Sequence, residues 1–68
     1  MQRREPLENK EYDLVSVIYN ASQAVETCQK YIQDVSGDQE VEQFFNSVID
    51  SNCDLVEKGK NLLKQRIH

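Results

Sequence analysis

The sequence predicts an all-α fold: an antiparallel hairpin of two helices that associates with a second copy into a four-helix bundle. Three observations carry this expectation. Apolar residues recur at alternating spacings of four and three along two stretches, helix-breaking residues interrupt them only once, and each predicted helix has an apolar face wider than one neighbour covers. The 68 residues allow one small domain, with a tail at 1–8 and the hairpin at 9–68. The tail is polar, without the apolar run of a targeting segment, and Pro6 stands ahead of the first helix, where its missing amide proton costs little.

The first helix is expected over 9–35. Leu14, Ile18, Ala21, Val25, Cys28, Ile32 and Val35 form a stripe sustained over three heptads, and Val17, Ala24 and Tyr31 form a second row beside it. Ser16, Asn20, Gln23, Thr27, Lys30, Gln33 and Asp34 fall on outward positions. Ser36-Gly37-Asp38 then closes one helix and caps the next, because glycine adopts the left-handed conformation and serine or aspartate accepts the first free amides. A turn at 36–38 is so short that the helices must lie side by side and antiparallel. The second helix, 39–66, repeats the pattern with Val41, Phe45, Val48, Asn52, Leu55, Gly59 and Leu62, flanked by Ile49, Val56 and Leu63, with Phe44 at the edge. Glu40 and Glu42 at its start, and Lys60, Lys64 and Arg66 near its end, suit the helix dipole.

One helix–helix seam leaves part of each face uncovered, and a chain this short gains too little from one seam to be comfortable alone. A homodimer or higher homo-oligomer is the simplest remedy, and Leu14, Val17, Ile18, Ala21, Val25, Cys28 and Ile32 on the first helix, with Phe45, Val48, Ile49, Asn52, Leu55, Val56 and Leu62 on the second, are the expected self-association surface. Six of the eight basic residues, Arg3, Arg4, Lys58, Lys60, Lys64 and Arg66, belong to the end carrying both termini, and Asp34, Asp38, Glu40 and Glu42 crowd the loop end. Antiparallel pairing of two hairpins brings these opposite poles together.

Composition narrows the function classes. A net charge of −4 disfavours nucleic acid, no apolar run reaches membrane-spanning length, and a cytoplasmic location is the default expectation. Cys28 and Cys53 are too few for a disulfide framework. Folding the chain about residues 36 and 37 sets residue i opposite 73 minus i, so Cys28 faces residue 45, Asn52 faces Ala21 and Gly59 faces Leu14. Asn52 then reads as a register-fixing amide bonded across the core, and Gly59 as room for a knob from the facing helix.

A four-helix bundle invites a search for a two-metal carboxylate site, which needs inward glutamates and a Glu-x-x-His pair. The one histidine is His68, and the nearest imitation, Asp50 with Cys53 on the second helix and Glu26 on the first, falls on outward heptad positions. No metal, cofactor or catalytic residue is therefore expected; Glu26, Asp50 and Cys53 are candidates only if further assembly brings them together. Cys28 reads as a small core hydrophobe and Cys53 as an exposed thiol. Tyr12 and Tyr19, with Val15, form a semi-apolar strip opposite the main face, as a rim over the core or as a further contact.

The segments Tyr12-Asp13-Leu14-Val15-Ser16-Val17-Ile18-Tyr19, Glu26-Thr27, Tyr31-Ile32, Gly37-Asp38-Gln39-Glu40, Phe44-Phe45 and Lys60-Asn61-Leu62-Leu63 resemble those of very small bacterial helical proteins, frequent in cyanobacteria, which look like half of a ferritin-like bundle. The resemblance covers nearly the whole chain after residue 10 and rests on core and capping positions. Such proteins tend to carry histidine at the position of Asn20, tyrosine at that of Cys28 and charged residues around Asn52 and Cys53, so the departures here remove candidate ligands. The resemblance implies a hairpin architecture and no particular activity. The expected function is a self-associating structural or interaction module, not an enzyme; the alternative is a ferritin-like metal or redox protein with sites formed between subunits.

Overall fold

A computed structural model describes residues 9–66. The tail at 1–8, with Arg3, Arg4 and Pro6, and residues 67 and 68, with His68, lie outside the described residues. The described chain is two α-helices, α1 (Asn9–Asp34) and α2 (Gln39–Arg66), without strands. They pack along their length as a hairpin.

The turn works through the residues that interrupt the pattern. Gly37 has φ +95°, and a Cβ there would meet nothing within 4 Å, so the glycine serves the backbone conformation and not a close approach. Val35 has left the helix: its amide bonds the Ile32 carbonyl at 3.3 Å, and its own carbonyl accepts from the Asp38 amide at 3.0 Å. α1 thus ends at Asp34, one residue short of the expected 35. Asp38 is the N-cap of α2. Its Oδ1 accepts from the Val41 amide at 3.3 Å and its carbonyl from the Glu42 amide at 3.0 Å. At the other end Arg66 Nη1 donates to the Leu62 carbonyl at 3.0 Å, one turn back in its own helix.

Ala21 and Cys28 are buried where the helices meet. Gly59 carries the closest approach: a Cβ there would stand 2.8 Å from Ile18 Cγ1 and 3.3 Å from Cδ1. The knob is therefore Ile18, not the Leu14 that a simple fold-back places opposite. Tyr31 and Phe45, with ring centroids 5.7 Å apart, show the same displacement of three to four residues from the fold-back partner. The reason is geometric. Cα–Cβ bonds tilt toward the N-terminus of their own helix, so in an antiparallel pair the side chains of one lean toward the loop and those of the other away from it. Side chains meet about one turn further along than the Cα atoms that share a level. By this offset Asn52 falls near the level of Val25, and Cys28 near that of Ile49, not residue 45.

Asn52 corrects a second expectation. Its Nδ2 donates to the Val48 carbonyl at 2.8 Å, within its own helix, not across the core. Ser47 Oγ makes the same kind of bond to the Gln43 carbonyl at 3.0 Å.

The Cα radius of gyration is 15.7 Å, against about 11 Å for a compact domain of this length. The principal extents, 52 × 23 × 13 Å, describe a slab two helices wide and one helix thick. A core cannot be enclosed in such a slab, and each broad face of the hairpin is in reach of solvent.

Candidate interaction surface

The two apolar rows of each helix take different roles once the hairpin forms. On α2 the half-buried residues Phe45, Ile49, Asn52, Val56, Gly59 and Leu63 make the seam, while Leu55 and Leu62 remain 50% and 42% exposed. On α1 the stripe through Ala21 and Cys28 packs inward, with Leu14, Ile18, Val25 and Ile32 half-buried, and Val17 is left 56% exposed beside half-buried Ala24 and exposed Tyr31.

These outlying residues share one side of the slab. Near the termini Leu14 and Val17 line an open groove with Leu62 of the facing helix, bordered by Lys10, Asp13 and Arg66. Near the loop the Tyr31 ring lies against Phe45, and Phe44, exposed, lies 5.8 Å from Phe45 between centroids. Between these ends run two rows of period seven, Val17, Ala24, Tyr31 on α1 and Val48, Leu55, Leu62 on α2. Together they form an apolar face along much of the hairpin, beyond the scattered exposed hydrophobes that any surface carries.

The other side of the slab carries the polar candidates. Glu26 and Cys53 line one open groove with Ser22, Val25, Val56 and Glu57. Asp50 is exposed and outside it. Heptad lettering misses the company of Glu26 and Cys53 because it treats each helix separately and does not show which positions of two helices border one groove. Among the described residues no group of three histidine, cysteine, aspartate or glutamate side chains is placed to hold a metal ion. Both thiols are free, Cys28 buried and Cys53 exposed.

Tyr12, Val15 and Tyr19 are exposed and line a third shallow groove on the outer side of α1 with Ser16 and Asn20. Ser16 and Thr27, expected on outward positions, are half-buried. Glu11 is buried, a placement the sequence reading missed. The signal was present: Glu11 extends the row of Ile18, Val25 and Ile32 back by one heptad. Lys58 and Asp54 pair at 3.2 Å one turn apart, and with both ends exposed this bridge contributes little.

No protein-family model matches the chain, and no curated protein or solved structure matches it either. Among the described residues no helix is long and apolar enough to cross a membrane.

Proposed function

We propose that the chain is a small self-associating helical module, structural or interactive and not catalytic, whose working form is a four-helix bundle of two copies. One observation carries this reading: the apolar face formed by Val17, Tyr31, Leu55 and Leu62, which remain 42–56% exposed in the hairpin. Shape agrees with it: the hairpin is 13 Å thick, a single layer of helices, where a bundle needs two.

The resemblance to small bacterial two-helix proteins that look like half of a ferritin-like bundle accords with this reading, as does a cytoplasmic setting. A nucleic-acid partner forms no part of it, because a net charge of −4 repels phosphate. Leu55→Lys tests the reading: with the face uncovered, the variant loses self-association and helical circular dichroism together. Retention of self-association by the variant would show that another surface mediates it.

A second reading, a ferritin-like metal or redox protein with sites between subunits, draws on the shared groove of Glu26, Cys53 and Glu57. Two such grooves facing one another would gather the donors that one chain lacks. Elemental analysis of protein purified without chelators separates the readings: stoichiometric iron, manganese or zinc would favour the second, and protein free of these metals the first.

A further inference from the structure

Resting on the reading that the chain pairs with itself, we infer that a second copy seats on the Val17–Leu62 face with its poles reversed. The dyad passes beside Ala24 and Leu55, so that α1 lies on the partner's α1 and α2 on the partner's α2. Three observations lead there.

The first is the shape of the face. Its α1 row is three residues at intervals of seven centred on Ala24, and its α2 row, which Val41 extends at the loop end, holds three centred on Leu55; both centres lie near the middle of their helices, Asn9–Asp34 and Gln39–Arg66. A dyad across the hairpin at that height turns each row onto itself. Val17 meets the partner's Tyr31, Val48 meets the partner's Leu62, and Ala24 and Leu55 each meet their own copy. This is the self-complementarity an isologous contact requires. A small residue opposite tyrosine and alanine opposite alanine also let the helices approach closely.

The second is charge. Lys58, Lys60, Lys64 and Arg66 occupy the last turns of α2; Lys10 adds to that pole, and Glu11, Asp13 and Glu57 subtract from it without reversing its sign. Asp34, Asp38, Glu40 and Glu42 surround the turn, with Lys30 alone against them within that end. Reversed poles set each positive end on a negative one. A dyad along the helix axes would give the same apolar layers, with α1 over the partner's α2, but would stack like poles. Sequence periodicity does not distinguish the two arrangements, and charge does.

The third is thickness: the hairpin is 13 Å deep, one layer of helices, so a second layer laid on this face completes a two-layer bundle. The face is also on the side away from the groove of Glu26 and Cys53, which stays open to solvent in this dimer.

Cysteine cross-linking in a Cys53→Ser background tests the arrangement, with light scattering on the same samples. Leu55→Cys and Ala24→Cys are made singly, mixed, reduced, allowed to exchange and oxidised. Reversed poles give disulfide dimers of each variant with itself and essentially no mixed species by mass spectrometry. Parallel poles give the mixed disulfide of Ala24→Cys with Leu55→Cys as the main product, which overturns the orientation. Should either single variant fold poorly, the double variant Val48→Cys/Leu62→Cys asks the same question: its two thiols, about 21 Å apart along one helix, close between copies only with reversed poles. A dimer by light scattering with no cross-link in any arm overturns the face. A monomer overturns the self-association reading itself, before orientation is at issue. Raising sodium chloride from 20 to 200 mM weakens the reversed dimer several-fold, whereas strengthening would contradict the charge argument.

Discussion

At Gly59 two opposing effects meet in one methyl group. Alanine in place of a helical glycine ordinarily gains about 1 kcal/mol. Here the new Cβ would lie 2.8 Å from Ile18 Cγ1, so the gain is offset by displacing the Ile18 side chain from the seam. Gly59→Ala is therefore expected to be neutral or destabilising in the native chain and stabilising by about 1 kcal/mol in an Ile18→Ala background. Urea denaturation of the four chains in this double-mutant cycle measures the coupling, and equal effects in both backgrounds would mean that Ile18 does not fill the space. Asn52 offers a second test at this scale. Its amide is satisfied by the Val48 carbonyl of its own helix and links nothing across the seam. Asn52→Leu should then raise the denaturation midpoint, as a half-buried polar group gives way to apolar contact; a lower midpoint would point to a partner for the amide on another helix. Both positions were visible in the sequence as departures from the apolar stripe. Their partners were not, because the tilt of Cα–Cβ bonds shifts an antiparallel register by a turn, and an asparagine amide can reach the carbonyl four residues back as readily as a facing helix.

The helices themselves were legible almost to the residue because periodicity and punctuation agree. Gly37 at φ +95° and Asp38 accepting from the Val41 amide do what their residue types imply. Gly37→Ala places a Cβ in left-handed backbone, and Asp38→Ala removes a cap, each costing about 1 kcal/mol. Thermal denaturation followed by circular dichroism at fixed protein concentration should show both as lowered midpoints. An unchanged midpoint for Asp38→Ala would mean that solvent or another group satisfies the Val41 amide equally well. The division of each apolar stripe between seam and outer face was less legible. Leu55 and Leu62 look equivalent to Phe45, Asn52 and Gly59 in a heptad, yet the first two are exposed while the others, and Val48 with them, are half-buried. Which of two adjacent rows faces the neighbour depends on the rotation of each helix about its axis, fixed here by the close fit of Ile18 to Gly59 and of Tyr31 to Phe45.

A slab 13 Å thick, with a radius of gyration of 15.7 Å, has the proportions of one layer of a two-layer domain. The shortness of the chain suggested that it needs a neighbour, and the proposed dimer places that neighbour on the face of Val17, Ala24, Tyr31, Val48, Leu55 and Leu62, not on the groove of Glu26 and Cys53 on the other side. In the proposed dimer stability and association are one quantity, so the thermal midpoint should rise with protein concentration. A midpoint independent of concentration over a hundredfold range would indicate that the hairpin is stable alone. The most direct measurement is the molar mass of the native chain by light scattering at micromolar concentration, with circular dichroism recorded on the same solution. Twice 7.9 kDa together with a helical spectrum is the predicted result, and a folded, helical monomer of 7.9 kDa would contradict the account.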